Sequence, residues 1–282
     1  DAEQQKRCEQ ALKAMECREN FASCLLELLT QGDQVARSAR WLASVHLKNV
    51  IARNWRTRLQ GCILSEEKQR LRQGLFGLID EPDAQVAVQV ALAVSKMARF
   101  DYPKEWPDVV ERLVGVIGQA RAEMIELRAN VGDESHPLDG VVRCRVDATE
   151  RVLQRAYTAL HLVLKELSSK RLAVDQKAFE SLCAGMYDAV VGWWMEDCGS
   201  VRPEVQERLL LETKCVKRMV VQGFPSDSKT LELSARVQAL CPFLVMTLRS
   251  WLEAAHASPV GGPAGAPMST VSPSLKLLKM VH

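Results

Sequence analysis

The chain has 282 residues, 47% of them hydrophobic and 26% charged, with 37 Lys and Arg against 35 Asp and Glu for a net charge of +2. That apolar content excludes disorder as the main state, because enough surface can be buried to offset chain entropy. Aromatic residues make up only 5% and glycine and proline are sparse, which excludes a strand-rich barrel or sandwich and favours helices.

Taken in order, the chain predicts paired helices. A short polar helix is expected from Glu3 to Ala14, marked by Cys8, Leu12 and Met15. A second follows from Asn20 to Thr30, with Phe21, Leu25, Leu28 and Leu29 on one stripe. Asp33 is the expected N-cap of a long third helix reaching Trp55. Ser65 and Glu67 open a fourth, carrying Leu71, Leu75 and Leu78, which Pro82 should end. Asp83 caps a fifth, where Val86, Val90, Val94 and Met97 repeat at helical spacing. That helix should stop before Asp101-Tyr102-Pro103, since proline pushes its predecessor out of the α region. Pro107 suits the first position of a sixth helix, with Val110, Leu113, Val116 and Ile117 inward.

A polar loop separates Ala129 from Arg143, and longer units follow. Helices are expected from Val146 to Leu167, from Asp175 to Glu196, from Pro203 to a C-terminal Gly223, and from Ser228 to Ala255 with a kink at Pro242. The Pro/Gly/Ser-rich stretch after His256 is low-complexity and is expected to be disordered. The whole predicts an all-α chain, an α-solenoid of about five HEAT-like antiparallel helix pairs, the class whose units run about 40–47 residues.

Chemistry is marked mostly by what the sequence lacks. It holds no HExxH, GxxxxGK[ST], GxSxG or strand-linked GxGxxG string. The glycines at Gly261, Gly262 and Gly265 lie in the tail, and His46 reads as a packing histidine rather than a ligand. The nine cysteines form no CxxC and have no His at ligand spacing, so free, mostly buried thiols in a reducing compartment are expected. The longest nearly apolar run, Ala84 to Val94, falls short of the roughly 20 residues of a membrane span. The start, Asp1 to Gln10, is too polar for a secretory leader, and the missing Met predicts a trimmed piece of a longer protein. Both signs of charge are interspersed without a basic stripe, so neither nucleic acid nor membrane is an expected partner. No enzyme, metal or cofactor is expected, and helical repeats work by presenting a surface.

Two strings stand out. In Val45 to Arg58, the cations Arg53, Arg56 and Arg58 crowd a helix C-terminus, where the dipole favours them, with Trp55 packed beneath and Lys48 and Asn49 opposite. In Ala98 to Val110, Tyr102, Pro103, Trp106 and Pro107 make a rigid turn with one aromatic anchor.

Together with the NFASCLLELL segment, these strings resemble the importin-β N-terminal domain of the karyopherin-β nuclear transport receptors. Leu162 to Asp188 and Val216 to Phe224 are similar to the importin-11 branch of that family. The resemblance implies a Ran-binding part at residues 1–120, further HEAT repeats at 121–256 and a tail at 257–282. It also implies three protein partners: the GTP form of the small GTPase Ran, Phe-Gly repeats of nucleoporins, and protein cargo. Shuttling between cytoplasm and nucleus follows from the same resemblance. A HEAT scaffold without Ran dependence, and an exportin, are the alternatives. In the family the second helix of each pair lines the concave face. If helices two, four and six hold that place, Ran should meet Asn20, Ser23 and Glu27, then Glu66, Arg70 and Gln73, then Asp108, Arg112 and Gln119.

Overall fold

The structure, a computed structural model, describes residues 2–16, 18–56, 63–129, 140–200, 202–224 and 231–257. Arg58, Cys17, Cys62, Ser228, the loop between Ala129 and Gly140 and the Pro/Gly/Ser tail, expectations included, lie outside them. The described residues form ten α-helices and one 3-10 turn: α1 (Ala2–Met15), α2 (Phe21–Thr30), the turn Gly32–Gln34, α3 (Arg37–Asn54), α4 (Ser65–Gly77), α5 (Ala84–Asp101), α6 (Val109–Ala129), α7 (Gly140–Ser168), α8 (Ala173–Cys198), α9 (Pro203–Gln222) and α10 (Leu231–Ala257). No strand occurs among the described residues, and the class is all-α.

Several boundaries move for identifiable reasons. Asp33 caps nothing: Gly32, at φ 56, opens a 3-10 turn that absorbs it, and α3 begins only after extended Ala36. Asp83 does cap α5, its carboxylate accepting from the N–H groups of Gln85 and Val86. α4 ends at Gly77 and closes through turns at Leu78 to Asp80, before Pro82 can act. α5 runs one residue further than proline alone suggests, through Asp101, and Tyr102 is extended before Pro103 (the peptide between them is cis). The Asp101 carbonyl then accepts from the N–H groups of Glu105 and Trp106, and this turn delays α6 to Val109. Pro107 is therefore not the first helical residue: it lies two residues ahead of α6, and the Asp108 carbonyl accepts from Arg112 N at 2.9 Å. α7 starts six residues before Val146, and α10 runs through Pro242. Gly223 sits at φ −90, so no left-handed cap requires it. It is needed for closeness, since a Cβ there would lie 2.5 Å from Cys183 Sγ.

The chain divides into two compact units, residues 1–166 and 167–282. In the first, α2 packs on α3 and α4 on α5, each pair reversing through a short connection, whereas α3 lies mainly along α5 rather than α4. The expected pairing of helices one with two and three with four is therefore shifted by one. Consecutive units are joined in register. Arg37 pairs with Asp83, and Trp55 Nε1 donates to Asp101 Oδ1 at 2.9 Å, each contact spanning 46 residues. Buried Arg40 meets buried Glu81 at 2.5 Å near the first of these. α3 and α5 thus run parallel, head beside head. Ser23 N donating to buried Glu67 at 2.9 Å joins α2 to α4 at nearly the same separation. Lys96 and Arg99 both reach Glu166, at 2.6 and 3.0 Å, carrying the row on to α7.

At the C-terminal end of this row, Asp101 is a buried hub. One oxygen accepts the Trp55 indole N–H, and the other accepts Arg72 Nε at 2.9 Å and Nη2 at 2.7 Å. The Trp55 ring, 1% exposed, lies 5.5 Å from Lys68 Nζ and 5.9 Å from the Arg72 guanidinium, measured to its centroid. The ends of α3 and α5 and the side of α4 therefore close on one carboxylate, while the backbone carbonyl of the same residue holds the turn.

In the second unit α8 packs on α9 around a buried ionic group. Arg208 donates Nε to Glu212 Oε1 at 2.7 Å and Nη2 to Asp197 Oδ2 at 2.8 Å. Trp194 Nε1 donates to Thr213 Oγ1 beside them, and its ring meets Phe243 edge-on at 5.5 Å. Burial, and then the nearby Asp197 charge, push the Glu212 carboxyl up to about 8. Burial also pushes the Cys183 thiol up to about 12, and those of Cys198 and Cys215 above their ordinary range. No disulfide joins cysteines among the described residues, but Cys8, Cys24, Cys144 and Cys241 are exposed rather than buried. Cys24 and Leu28 point outward because the packed face of α2 runs through Ala22, Ser23, Leu25, Leu26 and Leu29.

Two outcomes follow from these buried charges. Asp101→Ala leaves the Arg72 guanidinium and the Trp55 N–H without their acceptor, and should cost about 3–5 kcal/mol in denaturant unfolding; a loss below about 0.5 kcal/mol would contradict the hub. For Glu212, the folded carboxyl keeps its proton up to about 8 while the unfolded one loses it near 4.5. This group's contribution is therefore fully present below 4.5 and is lost as pH rises through about 8. Glu212→Gln should flatten the fall in unfolding midpoint over that range, and an unchanged slope would refute the assignment.

Candidate functional site

The first unit presents two helix rows. One holds α2, α4 and α6: Arg70 Nη2 donates to Asn20 Oδ1 at 2.6 Å, Gly74 leaves room for the Leu26 side chain, and the Arg112 guanidinium lies 4.1 Å from the Phe76 ring centroid. The other holds α3, α5 and α7. Since α2 and α4 are the first members of their pairs, the second members are α3 and α5. The residues expected on second helices therefore stand on first helices.

Their placement is mixed. Asn20, Glu27, Glu66, Arg70, Gln73, Asp108, Arg112 and Gln119 are exposed on the first-helix row. Ser23 is buried at 7% exposure and belongs to the α2–α4 packing. Arg112 lies 4.0 Å from Asp108, one helical turn away. Of the motif residues, Trp55 and Trp106 are buried, Tyr102 and Pro103 half-buried, and Pro107 exposed. Lys48 and Asn49 are half-buried on α3, while Arg53 reaches both Glu16 oxygens at 2.7 and 2.8 Å. His46 Nδ1 lies 3.9 Å from the same carboxylate. Arg56 sits over the Phe100 ring at 5.0 Å.

Sorting residues by row exposes what a linear reading missed. α3 and α5 carry six Lys and Arg and a single carboxylate, Asp101, which is buried. Their partners α2 and α4 carry three cations and three carboxylates. The even mixture of charge along the chain is thus uneven in space. The 46-residue register also aligns Leu42 with Val88, which are 45% and 41% exposed, and Arg53 with Arg99. Trp41, beside Leu42, is exposed as well. A search for pairs at one fixed separation would have found this alignment, and would have singled out Asp101 as the counterpart of Trp55.

An open groove of about 710 Å³ lies at the α2–α3 and α4–α5 turns, lined by the apolar Leu29, Val35, Leu78 and Pro82 and by Arg37, Arg40 and Glu81. No group of three or more metal-ligating side chains occurs among the described residues. No described helix is long and apolar enough to cross a membrane.

Residues 8–81 match the Importin-beta N-terminal domain. Importin-11 of Homo sapiens is 29% identical over 239 residues, covering 81% of this chain and 22% of that protein. Importin beta-like protein kap113 of Schizosaccharomyces pombe is 28% identical over 220 residues, covering 72% of this chain and 20% of its own length. The chain thus spans about a fifth of these curated relatives. Among solved structures, Lph2, a bidirectional nuclear transport receptor of S. cerevisiae, matches 98% of this chain and 24% of its own, with a TM-score of 0.68 at 20% identity. The chain is thus similar over most of its length to importins, its residues 8–81 match the importin-β N-terminal domain, and its paired helices share the fold of a karyopherin-type solenoid.

Proposed function

We propose that the chain is the N-terminal part of a receptor that binds Ran in its GTP form through its first repeats, residues 1–120, and carries protein cargo through the nuclear pore. In this reading it is a binding protein with no catalytic step, and it shuttles between cytoplasm and nucleus. The observation that carries the reading is the exposed face of the α3–α5 row, held in register by Arg37–Asp83 at one end and Trp55–Asp101 at the other. A rigid face presented by stacked helices is what an extended protein partner requires. The groove beside Val35 and Pro82, apolar in part, is the proposed seat for a nucleoporin phenylalanine. High RanGTP would then weaken cargo binding, and by linkage cargo would weaken RanGTP to the same degree.

If second helices carry the Ran surface, as the resemblance implies, it lies on α3 and α5 rather than on the first-helix residues around Arg70 and Arg112. Leu42→Asp with Val88→Asp should then weaken RanGTP binding strongly, while Arg70→Glu with Arg112→Glu should leave it nearly intact. All four side chains are exposed, so folding should change by no more than about 0.5 kcal/mol per site. Equal affinity for RanGTP and RanGDP would overturn the Ran reading. Loss only in the Arg70, Arg112 variant would restore the first-helix face.

A further inference from the structure

The face of the α3–α5 row is chemically graded along its length. Near the helix N-termini it is apolar, with Leu42 and Val88 exposed at equivalent places. Near the C-termini it is basic: Arg53 is 55% exposed, Lys96 34% and Arg99 37%. The carboxylates paired with this cluster come from other elements. Glu16, in the turn just past α1, takes Arg53, and Glu166 of α7 takes both Lys96 and Arg99. Three cations thus share two carboxylates.

We propose that this face binds an acidic, extended segment of a partner protein, with an apolar side chain seated on Leu42 and Val88 and carboxylates on the Arg53 and Lys96–Arg99 clusters. The dimensions set its pattern. Packed helices lie about 8–10 Å apart, which is about three residues of extended chain. From Leu42 to Arg53 the α-helical rise covers about 16 Å, or about five extended residues. The segment therefore carries an apolar residue, then, about five residues on, two acidic residues about three apart.

A protein segment suits the face better than a nucleic acid. Glu16 and Glu166 already sit among the cations and would repel a continuous phosphate backbone, whereas separate carboxylates can exchange with them one at a time. Trp41 is the one exposed tryptophan among the described residues of α3 and α5, so there is no row of rings for bases to stack on. The inference needs only that the face be accessible, and it stands or falls apart from Ran binding.

The test uses the whole 282-residue chain without Ran, and a fluorescein-labelled peptide with that pattern, read by anisotropy. A matched peptide with Gln for Glu, and an RNA oligomer of equal charge, are the controls. The Glu peptide should bind more tightly than the Gln peptide and lose affinity with added salt. Arg53→Gln, which removes one exposed cation of the face, should weaken it about tenfold. Glu166→Gln removes the built-in competitor and should tighten it, a gain that misfolding cannot mimic. Equal binding of the two peptides, tighter binding of the RNA, or no change in both variants would each overturn the proposal. RanGTP affinity measured separately keeps failure here distinct from failure of the Ran reading.

Discussion

The first unit depends on one buried carboxylate. Asp101 ends α5, yet its donors come from elsewhere: the Trp55 indole just past α3, the Arg72 guanidinium from α4, and, at its carbonyl, two N–H groups of the turn leading to Trp106. A buried charge is costly unless its hydrogen bonds are filled. Here both oxygens are filled, and filling them fixes three chain segments at once, with the turn held by the carbonyl of the same residue. With Arg37–Asp83 and Arg40–Glu81 tying the opposite ends, two helices of 18 residues have no freedom to slide. The alignment of Leu42 with Val88 and Arg53 with Arg99 is a consequence of that constraint.

The second unit meets the same problem with a different balance. Asp101 receives donors on both oxygens, while Asp197 and Glu212 draw on the one Arg208 between them. Two negative charges beside one guanidinium in a buried site are unfavourable, so the Glu212 carboxyl is pushed up and holds its proton. The joint at Arg208 therefore weakens as pH rises through about 8.

Much of the fold was legible in the sequence because helix signals are local. The Asp83 cap, the Pro103 stop, Pro203 at the start of α9 and the apolar stripes of α5 and α8 each depend on residues within a turn or two. Where the reading failed, a tertiary contact had intervened. Ser23 looked like a free polar residue, but its N–H is claimed by Glu67 from 44 residues away. Pro107 looked like a helix start until the Asp101 carbonyl wound an extra turn ahead of it. The helix pairs were placed one step out because α1 resembles a first member in sequence, and only the packing of α2 on α3 and α4 on α5 sets the phase. The basic face was invisible for the same reason, since charge counted along the chain averages two rows that the fold separates.

The central claim is that Trp55 and Asp101 couple successive repeats directly, and a double-mutant cycle on Trp55→Phe and Asp101→Asn tests it. Unfolding free energies of the four proteins, measured in denaturant, give the interaction term. Direct coupling predicts about 1–3 kcal/mol of non-additivity. Effects that add within about 0.5 kcal/mol would show that the two residues act independently, and the register of the repeats would need another cause.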